Sequence, residues 1–441
     1  EIIVKWDPSN AKDNSQSGYT GNVFIDVYKL NGTHLNRIDL GKNIRAGAHY
    51  TQFMVADFDG DGKAEIACKT APGTKDGKGN FISKGPAATA SHNSDYRNSG
   101  GYILTGPEYM TVFSGLTGEE LATANYNPQR GTVSSWGDSY GNRVDRFLGG
   151  IAWLDGVLPS IIMCRGYYTR AVVAAWDYRN GTLTNRWTYD SGNSNVGLYG
   201  QGNHNMAVAD VDEDGKDEII WGSAALDHDG KLLYRTNLGH GDAMHLTDHI
   251  PDRKGLELWT VHESTGAAYG EELHDARTGE IIWGTHTGTD NGRGMAGNVI
   301  PNNRGFEMWS GSGPGLMSTN GTILSSSKPS MNFRIYWDGD LEDELLDGTT
   351  ITKWGVGSIF SAAGCSSNNG TKSTPNLSAD LFGDWREEVV FRTSDNKKLR
   401  IFTTTTPTQY RMYTLMHDAV YRNAVAWQNT AYNQPPHAGF Y

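Results

Sequence analysis

Short apolar runs, each closed by a cluster of Asp, Asn and Gly, set the rhythm of this chain. Phe53-Met54-Val55-Ala56 leads into Asp57-Phe58-Asp59-Gly60-Asp61-Gly62-Lys63-Ala64-Glu65, and Ile66-Ala67-Cys68 follows. Runs this short, bounded by turn residues, predict strands. Val23-Phe24-Ile25-Asp26-Val27-Tyr28 alternates like a strand, and the Asn31-Gly32 pair after it tolerates the left-handed conformation of a tight hairpin. No stretch carries long helical periodicity.

The same unit recurs. Val208-Ala209 leads into Asp210-Val211-Asp212-Glu213-Asp214-Gly215-Lys216-Asp217-Glu218, followed by Ile219-Ile220-Trp221. Weaker copies place Asp248 and Asp252 before Glu257-Leu258-Trp259, and Asn298 and Asn302 before Glu307-Met308-Trp309. Asp338-Gly339-Asp340 precedes Glu344-Leu345-Leu346, and Asp380, Asp384 and Glu388 precede Val389-Val390. Ala152-Trp153-Leu154-Asp155-Gly156, before Ile161-Ile162-Met163, is a degenerate copy. Between the copies lie hairpin signals such as Arg179-Asn180-Gly181-Thr182 and Arg277-Thr278-Gly279-Glu280. A spacing of roughly 40–50 residues is that of one β-propeller blade, a small antiparallel sheet. Seven visible loops predict an all-β propeller of seven or eight blades, with 1–441 as a single domain. Pro72–Pro107 and Tyr189–Gly202 break the period and are expected to rim one face of it.

In the Asp57 loop, acidic residues stand at positions one, three, five and nine. Alternate residues of a tight loop face one side, so Asp57, Asp59 and Asp61 converge. The Lys63 carbonyl and Glu65 complete an oxygen cage of the kind calcium takes, in a spacing that is not an EF-hand. Asp210, Asp212, Asp214, Lys216 and Glu218 repeat the set. Asp338, Asp340 and Glu344, and Asp380, Asp384 and Glu388, are expected to do the same in weaker form.

Composition narrows the function. The 441 residues carry a net charge of -12, with 55 Gly, 13 Trp and 21 Tyr. So acidic a chain lacks the basic face a nucleic-acid binder needs, and its aromatics suit carbohydrate. Cys68, Cys164 and Cys365 are too few and too far apart for a disulfide framework or a zinc motif, and Cys68 and Cys164 are expected as buried thiols. No apolar run approaches membrane-spanning length. Calcium loops favour an extracellular setting.

Rare residue types then recur in loops away from the Asp bends. His204 precedes the Asp210 loop, His240-Gly241-Asp242 precedes the next copy, and Glu263 follows Trp259. Arg293, Lys372 and Tyr432 lie in glycine- or proline-rich turns. His204, His240, Asp242 and Glu263 together suit a second type of metal site, open to a ligand; singly, each histidine also reads as an ordinary hydrogen-bonded residue. Cys164-Arg165-Gly166-Tyr167-Tyr168 is dense in polar aromatics, as sugar sites are.

Lys5-Trp6-Asp7-Pro8-Ser9-Asn10, Ala46-Gly47-Ala48-His49-Tyr50, the Asp57 loop with Lys69-Thr70-Ala71-Pro72-Gly73-Thr74, the Cys164 segment, and Ala426-Trp427-Gln428-Asn429 with Tyr432-Asn433-Gln434-Pro435-Pro436-His437 resemble rhamnogalacturonan lyases of polysaccharide lyase family 11. The resemblance runs from end to end. It implies an eight-bladed, calcium-loaded propeller that cleaves the rhamnose-galacturonate bond of rhamnogalacturonan I by β-elimination. It also implies a further N-terminal β region, so a truncated chain is expected. It assigns His204, His240, Asp242 and Glu263 to an active-site calcium, and Arg293 and Lys372 to the catalytic cations. Asn369, Gly370, Thr371 and Tyr432 match its substrate-binding segment. In β-elimination a base takes the C5 proton of a galacturonate; Lys372 is expected in that role, with Tyr432 as the rival base. A secreted monomer acting on pectin is expected, with no nucleic-acid or membrane partner. The other readings are a non-catalytic calcium-stabilised adhesion or carbohydrate-binding propeller, and a glycoside hydrolase, which needs two carboxylates across the scissile bond.

Overall fold

The computed structural model describes all residues from Glu1 to Tyr441. They form eight small antiparallel sheets, one of three strands and seven of four, in chain order. These are the blades of an eight-bladed β-propeller fold. The chain divides into two compact units, Glu1–Gly200 with His228–Lys231, and Gln201–Asp227 with Leu232–Tyr441.

The first unit holds three sheets. The three-stranded one is Ile2–Trp6, Phe24–Tyr28 and His34–Asp39. It has no Asp bend, so the loop count on the sequence missed it; its inner carboxylate, Asp26, instead grips Arg37 through two bonds of 2.7 Å. Phe53–Ala56, Glu65–Thr70, Tyr109–Ser114 and Glu120–Asn125 form the second sheet. Phe147–Ala152, Ser160–Arg165, Val172–Arg179 and Thr182–Asp190 form the third. Its hairpin at Asn180-Gly181 has both residues at positive φ, 50° and 75°, which is why that dipeptide stands between the paired Arg179 and Thr182. The segment 72–107 leaves the second sheet after Thr70 and packs on the first: Lys75 bridges to Asp39, and Asn43 Nδ2 donates to Pro72 O and Ser94 O at 2.7 and 2.9 Å.

The second unit holds five sheets. Ala207–Ala209 with Glu218–Ile220 opens the first and Met244–Thr247 with Glu257–Val261 the second. Gly294–Gly297 with Glu307–Ser310 and Phe333–Ile335 with Glu344–Asp347 open the next two, and in the last Leu377–Ala379 and Glu388–Thr393 follow the short strand Cys365–Ser366. The tryptophans of the repeat, Trp259 and Trp309 within the strands after their bends and Trp221 just past its own, are fully buried. One eight-residue helix, Ala419–Ala426, is capped by Asp418, whose Oδ1 accepts from Tyr421 N at 2.8 Å. No helix is long and apolar enough to cross a membrane.

A buried glutamate begins the strand that follows the bend in six of the sheets: Glu65, Glu218, Glu257, Glu307, Glu344 and Glu388. One oxygen of each reaches back to cap the amides that open the preceding bend, as Glu65 does for Phe58 N at 2.9 Å and Glu218 for Val211 N at 2.8 Å. That is why an acid recurs at the end of every such loop, with or without further acids in it. Cys68 and Cys164 are buried thiols, and burial pushes the Cys68 thiol up to about 12.

Candidate active site

An antiparallel first and second strand put two kinds of loop at opposite ends of a sheet. The bend joining them lies at one end. The entry to the first strand and the exit of the second lie together at the other. The pairing of Met244 with Thr260 and Thr247 with Glu257 fixes this for the second unit's second sheet. His240 and Asp242 precede Met244 and Glu263 follows Val261, so register alone brings them to one end.

Backbone bonds then lock the segments. Glu263 N donates to His240 O at 3.0 Å, and His204 N to Gly241 O at 3.2 Å. His204 Nε2 lies 3.2 Å from Asp242 Oδ1, and His240 Nε2 lies 3.3 Å from Glu263 Oε1. One ligand atom from each of the four residues falls within 4.8 Å of every other. Two observations show that this set fits a divalent cation. His240 Nδ1 donates to Gly202 O, so a neutral ring turns the lone pair of Nε2 toward a carboxylate. Asp242 Oδ1 is buried and accepts no hydrogen bond. Burial raises the Asp242 pKa, with Lys372 pulling the other way.

The cationic residues adjoin this cluster. Lys372 Nζ donates to Asp242 Oδ2 at 2.6 Å and to Gly292 O at 2.5 Å, and stands 5.1 Å from the centre of the Tyr432 ring. The Tyr432 ring lies 4.5 Å from that of His204. Lys372 closes a single 3-10 turn, Gly370–Lys372, whose flanking residues Asn369 and Ser373 are both left-handed, at φ 59° and 46°. Asn369 Nδ2 ties that turn to Thr374 Oγ1 at 2.7 Å. Arg293 is buried, donates from Nη2 to Asn332 O at 2.6 Å, and has no hydrogen-bond partner at Nε or Nη1. Burial lowers its pKa to about 10.

Asn332 was not visible in the sequence as a site residue. Its carbonyl holds Arg293 while its Nδ2 reaches Thr371 O at 3.1 Å and Asp347 Oδ1 at 2.9 Å, so it couples Arg293 to the Lys372 turn. No motif marks it; an Asn before a strand carries no signal of its own. Arg165, by contrast, is fully buried with Glu108 and Asp145, at 2.9 Å from each. The ion pairs commit it to structure. Of the aromatics beside it, Tyr168 is half-buried, with Arg143 stacked 3.5 Å from its centre.

At the bends, the structure brings Asp57, Asp59 and Asp61 together, and Asp210, Asp212 and Glu218 together, each set within 4.8 Å. Amides of Gly60, Asp61 and Gly62 donate to Asp57 at 2.8–3.0 Å, which requires the positive φ of Gly60 and Gly62, 78° and 87°. These all-oxygen sets fit calcium. The Lys63 and Lys216 ammoniums lie 3.2 Å from Asp61 and Asp214. Asp338, Asp340 and Glu344 also converge, around Lys353. Asp380, Asp384 and Glu388 do not form such a cluster. Asp380 accepts from Gly383 N, Trp385 N, Thr414 Oγ1 and Leu415 N, Asp384 pairs with Arg386 at 2.5 Å, and Glu388 Oε1 accepts from Thr403 at 2.9 Å.

The bends set a pH dependence. Burial, followed by the charges of the neighbouring aspartates, pushes Glu65 up to about 7 and Glu218 up to about 8. Each binds its proton more tightly folded than unfolded, so stability falls as pH rises through these values. The buried His245 and His249, lowered by burial to about 3 and about 4, act in the opposite sense, but only below about 6.5. Chelated protein is therefore expected to melt at lower temperature at pH 8.5 than at pH 6.5, and added calcium is expected to remove the difference. A chelated protein that melts higher at pH 8.5 contradicts this.

The family profile described as rhamnogalacturonan lyase family 11, C-terminal domain, matches residues 1–441. The chain is 60% identical over 448 residues to rhamnogalacturonan endolyase YesW of Bacillus subtilis (strain 168), covering 100% of this chain and 71% of that protein. It is 58% identical over 463 residues to rhamnogalacturonan exolyase YesX of the same organism, covering 100% of this chain and 74% of that one. The solved structure of the Bacillus licheniformis rhamnogalacturonan lyase PL11 superposes with a TM-score of 0.96 at 59% identity, over 100% of this chain and 75% of that chain. With the whole sequence matched at this identity, the chain belongs to rhamnogalacturonan lyase family 11.

Proposed function

We propose that the protein is a polysaccharide lyase that cuts the rhamnose-galacturonate bond of the rhamnogalacturonan I backbone by β-elimination, with calcium as its resident ion and the cell exterior as its place of work. The family supports the reaction class. The observation that carries the site is Arg293: a buried guanidinium with Nε and Nη1 unbonded, next to the Lys372 ammonium and a four-ligand cluster. A buried cation left with free donors suits a carboxylate ligand, and galacturonate supplies one.

His204, His240, Asp242 and Glu263 would hold the ion. When bound there, a divalent cation draws charge from the substrate carboxylate and weakens the hold of Asp242 on the Lys372 proton. Arg293 binds the same carboxylate and stabilises the negative charge that develops as C5 loses its proton. Lys372, as the free amine, takes that proton. The C5–H electron pair becomes the C4–C5 double bond, the C4–O4 bond breaks, and O4 leaves with the rhamnose side and takes up a proton. Asn369, Gly370 and Thr371 carry Lys372 on their turn, and the Tyr432 ring forms a wall against which a sugar can lie. Asn332 keeps Arg293 and the turn in register.

Incubation with rhamnogalacturonan I tests this. An unsaturated product is expected, seen as rising ultraviolet absorbance and abolished by chelator. New reducing ends without absorbance would mean hydrolysis, and no product at all would leave a binding protein.

A further inference from the structure

The six glutamates that cap the bends share one geometry and differ in what satisfies the second oxygen. Glu257 Oε1 accepts from Arg253 at 2.9 Å, Glu307 Oε1 from Asn303, Glu344 Oε1 from Lys353 at 2.9 Å and Glu388 Oε1 from Thr403 at 2.9 Å. In the bends at Asp57 and Asp210, aspartates crowd beside the glutamate instead. In the Asp338 bend the converging acids surround a cation from the chain, Lys353.

We infer that Lys353 permanently occupies the cation position of the Asp338 bend, so that this bend takes no calcium while those at Asp57 and Asp210 do. An ammonium has three N–H donors. Lys353 Nζ meets three carboxylate oxygens: Asp338 Oδ2 at 2.7 Å, Asp340 Oδ2 at 2.6 Å and Glu344 Oε1 at 2.9 Å. The remaining oxygens of those carboxylates are already used by the backbone. Asp338 Oδ1 accepts from Asp340 N at 3.0 Å and Asp340 Oδ1 from Glu342 N at 3.2 Å. Glu344 Oε2 accepts from Trp337 N at 2.9 Å and Asp338 N at 3.0 Å. Each of the three ammonium N–H groups thus has its own carboxylate oxygen, and a divalent ion would have to evict the ammonium.

The strand register explains how Lys353 comes to lie there. Lys353 ends the third strand, Thr350–Lys353, and the pairing of Leu345 with Thr352 sets it across from Glu344. The residue across from Glu65 is Ser114, which is short and uncharged and leaves the space open. Across from Glu257 it is Asp275, which instead helps hold Arg253 over that glutamate. One residue on the third strand thus decides whether a bend recruits an ion or carries its own. The side chain of Lys353 is 16% exposed and meets three carboxylates, whereas that of Lys63, in the Asp57 bend itself, is 68% exposed and bonds Asp61.

The test counts ions and needs no substrate, so its outcome is separate from that of the lyase assay. Crystals of the unsubstituted chain soaked in terbium should show anomalous peaks at the Asp57 and Asp210 bends and none at Asp338. After dialysis against calcium, Lys353→Ala should hold one more ion per chain than the unsubstituted protein, and Asp338→Asn should hold no fewer. A terbium peak among Asp338, Asp340 and Glu344 in the unsubstituted chain overturns the inference, as does an unchanged calcium count in folded Lys353→Ala. Should that variant fail to fold, the terbium map of the unsubstituted chain decides.

Discussion

Lys372→Ala is expected to lower turnover by about 10³-fold, within the range for loss of a general base, while ion content and melting temperature stay where they were. The separation follows from position. Lys372 sits on a one-turn segment and is bonded to Asp242 and Gly292 O, and no apolar cluster depends on it. Removing its positive charge from Asp242 leaves that carboxylate freer for a divalent ion, so ion binding should hold or tighten. Tyr432→Phe discriminates between the two candidate bases. It keeps the ring that faces His204 and Lys372 and removes only the hydroxyl. If Lys372 is the base, this variant should lose less than about tenfold, since no proton transfer in the rate-limiting step passes through the phenol. Collapse of Tyr432→Phe together with survival of Lys372→Ala would reverse the roles. Arg293→Gln is expected to lose about 10²- to 10³-fold, the cost of removing a preorganised donor from a developing anion.

The sequence displayed what local chemistry determines. The Asp57 and Asp210 bends were legible because alternation, glycine at positive φ and a closing glutamate are all written within nine residues. Asn180-Gly181 was legible for the same reason. The His204, His240, Asp242 and Glu263 set was visible as a group of rare residues; its assembly needed the pairing of two strands, and its roles came from the family resemblance. What stayed hidden was decided across strands. The first sheet had no acid bend to announce it, because Asp26 takes its partner from Arg37 on the next strand. Asp380 and Asp384 carry the spacing of a metal bend, but Thr414, Leu415 and Arg386 use their oxygens. Lys353 and Asn332 act from outside the motifs they complete, so no window of sequence around those motifs contains them. Identical local patterns thus diverge wherever the third dimension supplies a different neighbour.

That divergence predicts that the ions do two separable jobs. Full chelation is expected to abolish turnover and to lower the melting temperature, and single substitutions should split the two losses. At the bends a bound ion would be structural. Three carboxylates within 4.8 Å of one another repel at neutral pH, and in the Asp57 bend loop amides and the Lys63 ammonium offset only part of that. A ligand present at a hundredfold excess over its dissociation constant adds about 2.7 kcal/mol to the folded state. For a unit of this size that corresponds to roughly 5–10 °C per occupied bend. Asp57→Asn or Asp210→Asn should therefore melt lower by that order and still turn over normally at 25 °C, because Asp57 belongs to a sheet that supplies none of the proposed site residues and Asp210 lies at the end of its sheet opposite His204. Glu263→Gln should do the converse. Its carboxylate is partly exposed and lies in a loop already fixed by the bond of its amide to His240 O. Losing one charge there should change the melting temperature little and cost at least about 10²-fold in turnover, by analogy with loss of a preorganised charge from an active site. Calorimetry and the absorbance assay, run on the same preparations, measure both quantities. If Glu263→Gln lost stability and kept activity, the cluster would be a structural site, and the reacting carboxylate would have to be bound elsewhere.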